Sequence, residues 1–416
     1  MRTRVVTVIN FGLAFATLLL LIWPRRDTPA PVVAEPTPPP TKPPPAIVGG
    51  QINWAALSNE ELDVARIFAA ARRGGIGAGL DTLQAIAARD SNVYAQGHAL
   101  AHGIGRFVMA RNRADPSVLA QCRPVFEAGC YHGVLEGYLA SMKTVDAARL
   151  TSMCAALLRP SESRLPAHEC SHGLGHGLVE RLSYDFRAVL GSCDTFADEA
   201  LRGECHDGAF MQNAVRGLGL GSDSTSAAAP AEHQHGTIAP ADGHAARAMG
   251  PFRASNIAFP CDSIASPYQP SCWAYQPLAV VQLLQADFEK TLRACDLAPA
   301  PAARARCFAG IGKQSTGWFF EDVLRVIDLC SRAGSGNVEN CLEGAVETLI
   351  DANWTAGAAL AFCRNVPVTA KPSCYRMIGE RMRLVRATQE GVRADCERAE
   401  PMFVEACLEG SRRTHD

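Results

Sequence analysis

Two pairs of histidines, each four residues apart, are the side chains in this sequence best suited to metal chemistry. The segment CSHGLGHGL, residues 170–178, contains His172 and His176, and the earlier segment GHALAHGIGR contains His98 and His102. Residues four apart lie one above the other on a helix, with about 5–6 Å between their Cβ atoms. Two imidazoles in this arrangement can coordinate one metal ion. A single pair would be a weak indication of a metal site, and its recurrence makes the indication stronger.

The same register continues in two further segments that carry carboxylates. His132 is followed four residues later by Glu136, and Asp207 stands where the next histidine of the series would be. We therefore predict a metal site built from imidazole and carboxylate groups of successive helices. The candidate ligands are His98, His102, His132, Glu136, His172, His176 and Asp207.

These candidate ligands fall into two groups along the chain. Packed helices lie about 8–10 Å apart, so ligands on neighbouring helical units can meet. We expect one ion near the first four candidates and a second near the last three, merging into one dinuclear centre if the helices curve strongly. Imidazole with carboxylate suits iron, zinc, manganese or copper.

Two other interpretations of the histidines stay open. They could form structural hydrogen bonds in a buried polar network, or they could contact a substrate or a haem. The second half of the chain favours the metal, because the register continues there without histidine, and no histidine occurs between residues 245 and 414. His168 and His206 lie beside the register and are expected to support ligands or to face solvent.

The sixteen cysteines indicate the architecture. They fall into eight couples at positions 122/130, 154/170, 193/205, 261/272, 295/307, 330/341, 363/374 and 396/407. The last five couples recur every 33 to 35 residues, a period typical of helical repeats. The even count and the absence of CxxC motifs predict eight disulfides in an oxidising compartment rather than thiolate zinc sites.

Each couple of cysteines brackets a turn between two helical segments. A helical stretch such as DFEKTLRAC precedes the turn, proline interrupts the turn in CRNVPVTAKPSC, and a second helix such as CLEGAVETLID follows. The motif Cys-x-x-Gly, at the start of six of these second helices, predicts close approach of neighbouring helices. The fold class predicted is all-α: a disulfide-linked array of helical hairpins, an α-solenoid, behind an N-terminal transmembrane helix.

This layout resembles disulfide-bearing Sel1-like and TPR-like repeats. The paired histidines and carboxylates on helical repeats also resemble, in layout alone, the HEAT-type di-iron hydroxylases. The His-Glu dipeptides of that family are missing from this sequence.

The N-terminus carries an apolar run from Val5 to Trp23. As a helix it would rise about 28 Å, enough to cross the hydrocarbon layer, and we interpret it as an uncleaved anchor, with a cleaved signal peptide as the alternative. The predicted organisation is residues 1–4 cytoplasmic tail, 5–23 transmembrane anchor, 24–49 proline-rich linker, 50–218 histidine-bearing repeats, 219–250 disordered insertion and 251–416 cysteine-paired repeats.

The formal net charge of −2 gives no electrostatic case for nucleic-acid binding. The sequence also lacks a GxSxG motif, a Walker loop and a Rossmann glycine pattern. We therefore predict a membrane-anchored protein whose main body is extracytoplasmic, periplasmic or extracellular, and which binds one or two transition-metal ions. Whether it is a metalloenzyme stays open. The alternatives are a non-catalytic scaffold that grips a protein partner on a concave face, and a metal storage or delivery protein.

Overall fold

The structure is a computed structural model that describes residues 47–48, 51–52, 59–90, 93–94, 96–159, 162–218, 249, 252, 254–319 and 322–412. The chain divides into two compact units, Met1–Leu57 and Ser58–Asp416. In the first unit, strand β1 (Ile47–Val48) pairs antiparallel with β2 (Gln51–Ile52).

Parts of the predicted organisation lie outside the described residues. These are the anchor at 5–23, nearly all of the linker at 24–49, and the insertion at 219–250 apart from residue 249. Among the helices of the described segments, none combines the length and apolar character needed to span a bilayer. The predicted domain boundaries therefore stay predictions.

The second unit is helical throughout its described part, which confirms the predicted all-α class. Its first helices are α1 (Asn59–Ala87), α2 (Gly97–Arg111), α3 (Gly129–Ser141), α4 (Ala147–Ala155), α5 (Leu165–Arg181), α6 (Phe186–Cys193) and α7 (Glu199–Gly217). The later helices are α8 (Gln269–Leu283), α9 (Phe288–Ala294), α10 (Pro301–Trp318), α11 (Val323–Ser331), α12 (Val338–Asp351), α13 (Gly357–Asn365), α14 (Lys371–Val385), α15 (Gln389–Cys396) and α16 (Val404–Arg412).

Several of the short helices begin in the same way. An aspartate stands just before each of α4, α6, α9 and α11, and its carboxylate accepts a hydrogen bond from a backbone N–H three residues on. Such a cap satisfies one of the unpaired donors of the first turn and typically contributes about 1 kcal/mol. The aspartates are Asp146, Asp185, Asp287 and Asp322.

The long helices pack against one another in chain order. Helices α1, α2, α3, α5, α7, α8, α10, α12, α14 and α16 each contact the next member of this series. The Cys-x-x-Gly glycines lie at the closest points: a Cβ added to Gly133 would be 2.0 Å from the carbonyl oxygen of His102. A Cβ on Gly208 would lie 1.9 Å from that of His172. The predicted role of these glycines in close helix approach is confirmed.

All eight predicted disulfides are formed, and the described residues contain no free cysteine. The bond from Cys193 to Cys205, for example, joins the end of α6 to the middle of α7. Eight such bonds indicate an oxidising, extracytoplasmic compartment, because thiols are kept reduced in the cytosol.

Within the second unit, segments far apart in sequence come together. The hydroxyl of Ser163 donates to the carbonyl oxygen of Leu384 at 2.9 Å. The carboxylate of Asp207, on α7, pairs with the guanidinium of Arg306, on α10. Side chains of the histidine-bearing and the cysteine-paired parts therefore share one interior.

Candidate metal centre

Helices α2 and α3 bring three of the predicted ligands together. His98 and His102 lie one turn apart on α2, and His132 lies on α3. Because Gly129 and Gly133 carry no Cβ, the backbone of α3 can press against that of α2. The ring centroids are 4.6 Å apart for His98 and His102, 5.0 Å apart for His102 and His132, and 5.6 Å apart for His98 and His132.

The facing nitrogens of these three rings have the spacing of metal ligands. Nε2 of His102 lies 3.0 Å from Nε2 of His98 and 3.2 Å from Nδ1 of His132. Two nitrogens bound to one tetrahedral zinc ion at 2.0–2.1 Å would lie about 3.3 Å apart. The ligand atoms of this three-histidine centre all lie within 4.8 Å of one another.

Hydrogen bonds on the far side of two of the three rings determine which of their nitrogens carry lone pairs. Nδ1 of His98 lies 3.0 Å from the carbonyl oxygen of Phe126, which can only accept, so this nitrogen carries the hydrogen. Nδ1 of His102 donates in the same way to Oε1 of Glu136 at 3.1 Å. Nε2 of His132 faces Oε2 of Glu169 at 3.7 Å.

These contacts give neutral imidazoles whose remaining lone pairs face one another. Nε2 of His98 and Nε2 of His102 are then two acceptors with no hydrogen between them. Two acceptors do not approach to 3.0 Å unless something positive lies between them. A proton on one of these two nitrogens, or a metal cation, must fill this role.

Glu136 lies behind His102 and does not face the other imidazoles. Its Oε1 accepts the hydrogen of His102 Nδ1, and its Oε2 pairs with the guanidinium of Arg106. A carboxylate that orients a ligating histidine in this way is a common feature of metal sites. The structure therefore places this candidate ligand where it would support the site through His102.

The second histidine pair lies beside the first group. His172 and His176 are on α5, which packs against α3, and their ring centroids are 5.0 Å apart. The ring of His132 lies 5.6 Å from that of His172 and 5.2 Å from that of His176. The five imidazoles predicted for two separate ions thus form one cluster around His132.

Asp207 has a different partner. Its side chain is only 6% exposed and its carboxylate forms an ion pair with Arg306. Nε2 of its neighbour in sequence, His206, lies 3.1 Å from Oδ1 of Asp194. The structure brings neither residue into the histidine cluster through these contacts.

The electrostatic environment favours the neutral form of three imidazoles, those of His98, His132 and His176. Burial, together with the like charges of neighbouring histidines, lowers the pKa of His98 to about 3 and the pKa of His132 to about 4. The same causes hold the pKa of His176 well below its ordinary value. A histidine must be neutral to bind a metal ion, and these three are already neutral at pH 7, so metal binding would not require them to release a proton.

Three buried carboxylates surround the cluster. Burial alone would raise the pKa values of Glu136, Glu169 and Glu204, but hydrogen bonds and charges from neighbouring histidines hold them well below the usual range. Burial would also lower the pKa of His168, yet the charge of Glu204 and hydrogen bonds to Glu169 and Glu204 raise it to about 9. Arg106 pairs with Glu136, and protonated His168 lies between Glu169 and Glu204, so ionised carboxylates and their cations surround the cluster.

Sequence reasoning missed Glu169 and Glu204. Each directly precedes the second cysteine of its couple, Cys170 and Cys205, so a shared register was present in the sequence. The histidines recur two and six residues after the second cysteine, whereas these glutamates lie one residue before it. The spacing alone does not show that their side chains contact an imidazole.

A cavity of about 740 Å³ adjoins the cluster. Its lining includes His168, Glu204, Arg306, Glu343 and Arg381, so both the histidine-bearing and the cysteine-paired parts of the chain contribute to it. Burial, together with the charge of Glu347, raises the pKa of Glu343 to about 7. The wall of the cavity therefore includes one carboxyl that titrates near neutral pH.

Comparison with models of known protein families, with curated proteins and with solved structures finds no match to this chain. The resemblance to Sel1-like, TPR-like and HEAT-type proteins is therefore one of layout alone. The chemistry of the site is argued from its own geometry.

Proposed function

We propose that this protein is an extracytoplasmic helical-repeat protein that binds a transition-metal ion through His98, His102 and His132. One observation carries the proposal: three imidazole nitrogens, each with its other ring nitrogen facing an acceptor, lie at the spacing of ligands around one ion.

The ligand set supports zinc first, because zinc binds imidazole readily and two of the nitrogen–nitrogen distances, 3.0 and 3.2 Å, are near that of a tetrahedral ion. Iron, copper and manganese are the alternatives, since imidazole binds each of them. Three protein ligands leave one position of a tetrahedral ion open, as in catalytic rather than structural zinc sites. This supports a metalloenzyme or a metal-delivery protein over a purely structural ion.

Other features support the cellular setting. The eight disulfides fit an extracytoplasmic body, and the apolar run at residues 5–23 would anchor it to a membrane. The serial packing of the long helices supports an α-solenoid, in which each hairpin contacts its neighbours.

Metal content tests the proposal. The full chain is loaded with Zn²⁺, dialysed and measured by elemental analysis, beside His102→Ala and the control His206→Ala, whose histidine lies with Asp194 outside the cluster. We expect His102→Ala to bind one zinc ion fewer per chain than the wild type, and the control to match the wild type. A wild-type chain without zinc, or a His102→Ala chain with undiminished zinc, would contradict the proposal.

A further inference from the structure

In the second histidine pair, on α5, as in His98 and His102, Nδ1 of each ring lies near a side-chain or backbone oxygen. Nδ1 of His176 lies 2.8 Å from Oε1 of Gln212. The amide nitrogen of Gln212 donates to Glu180 at 2.7 Å, which fixes the orientation of the amide. Oε1 of Gln212 must therefore accept from His176, and Nε2 of His176 retains its lone pair.

The neighbouring ring is oriented by a carboxylate. Oε2 of Glu204 lies 3.6 Å from Nδ1 of His172, and Oε1 of the same carboxylate accepts from Nε2 of His168 at 2.8 Å. Since an ionised carboxylate can only accept, the hydrogen of a neutral His172 ring belongs on Nδ1. Its Nε2 is then also a free ligand atom.

Nε2 of His176 has nothing to bind in the described part of the chain. It is fully buried and lacks a hydrogen-bond partner there. A buried polar atom without a partner typically costs about 1–3 kcal/mol, so a water or a metal ion that binds this nitrogen would offset that cost.

We propose that His172 and His176 hold a second divalent transition-metal ion, beside the first, so that the cluster is a dinuclear centre. This inference rests on the proposed function of the three-histidine centre. The two sites share His132 as a neighbour: a Cβ on Gly173, between the paired histidines, would lie 2.7 Å from Cδ2 of that ring. The sequence suggested Asp207 as a further ligand of this ion, but the carboxylate of Asp207 is paired with Arg306. Water or a substrate would therefore occupy the coordination positions of the second ion that the two imidazoles leave open.

The second ion is expected to bind more weakly and to exchange faster than the first. Two protein imidazoles hold it, against three at the first site. It also lies on the side of the cavity, because Glu204, which orients His172, forms part of the cavity wall. Loading should therefore occur in two steps, with the three-histidine centre filling first.

Titration of the metal-free full chain with Zn²⁺ tests this inference. We expect two ions per wild-type chain, one ion for His172→Gln/His176→Gln, and two for His206→Gln as the matched control. Circular dichroism of each variant verifies that the helices are retained, and an Ala pair at the same positions serves as a second variant. A wild-type chain that binds one ion, kept by both double variants, would overturn the second site and leave the proposed function standing. A wild-type chain that binds no ion would overturn the proposed function itself.

Loading with Co²⁺ tests whether the two ions are adjacent. We expect magnetic coupling between two high-spin ions in the fully loaded wild-type chain, seen by electron paramagnetic resonance, and an uncoupled single-ion spectrum in the double variant. Two bound ions with uncoupled spectra would show separate sites and would overturn the dinuclear centre.

Discussion

His168 lies between two of the carboxylates that support the histidine cluster. Its Nε2 is 2.8 Å from Glu204 and its Nδ1 is 3.5 Å from Glu169. Glu204 also approaches His172, and Glu169 approaches His132. Protonated His168 thus links the carboxylate near His132 of the three-histidine centre with the carboxylate near His172 of the second pair, and it holds both buried carboxylates in place.

The charge on His168 predicts a pH dependence of stability. Its pKa rises from 6.5 in the unfolded chain to about 9 in the folded protein, so its contribution is fully present below pH 6.5 and is lost as pH rises through 9. The loss is at most about 1.4 kcal/mol per pH unit. Urea unfolding of the metal-free chain between pH 6 and pH 9.5 should show this decline, and His168→Gln should flatten it. Equal slopes for both proteins would contradict the assignment.

At this scale the sequence predicted that His98, His102 and His132 would lie together, but it did not predict the partners of the carboxylates. The positions of His98, His102 and His132 follow from helical periodicity and the repeat spacing, which place them on facing surfaces of α2 and α3. Glu136 and Asp207 share that register, yet each meets an arginine. The partner of a carboxylate depends on the positions of long, flexible side chains from other helices. The spacing of residues in the sequence does not determine those positions.

Close helix contact at glycine is the feature that brings ligands on different helices within reach. Gly208 of α7 lies against the carbonyl oxygen of His172 on α5, whereas Gly203 of the same helix has open space where a Cβ would be. The two positions therefore form a matched pair for substitution.

We expect Gly208→Ala to destabilise the protein by about 1–3 kcal/mol, because the added methyl group forces α5 and α7 apart. Gly203→Ala should stabilise it by about 0.5–1 kcal/mol, since alanine favours the helix and meets nothing. Chemical denaturation of both variants measures the difference. Similar effects from both substitutions would show that the glycine contact is unimportant.

The helices and disulfides were largely predictable because their determinants are local. Proline and the paired cysteines delimit each turn, as at Cys363 and Cys374, and the motif Cys-x-x-Gly marks where neighbouring long helices touch. The 740 Å³ cavity was not predictable, because Glu204 and Arg381 on its wall are 177 positions apart in the printed sequence and meet only through the packing of the whole unit.

On the scale of the whole molecule, the contacts between distant segments enclose the polar interior. Ser163 meets Leu384, and Asp207 meets Arg306, across separations of 221 and 99 residues. Lys313 pairs with Glu347 at 2.7 Å on the same interior. Lys313 and Glu347 stand, relative to their cysteines, where His176 stands relative to Cys170, so an ion pair occupies in the later helices the position that a histidine occupies in α5.

Removing a disulfide outside the histidine-bearing helices α2, α3 and α5 separates the stability of the helical unit from the metal site. Cys363→Ala/Cys374→Ala deletes a bond that closes a loop of 11 residues. We expect a loss of about 2–4 kcal/mol in the free energy of unfolding, with zinc content unchanged. A protein of unaltered stability, or one that has lost its zinc while still folded, would contradict this division of roles.

The most direct test of the central claim is to locate the ion by anomalous diffraction from crystals of the zinc-loaded protein. The account predicts an anomalous peak about 2.1 Å from Nε2 of His98, Nε2 of His102 and Nδ1 of His132. The absence of a peak at this point, with His98 and His102 joined by a hydrogen bond in the same crystal, would contradict it.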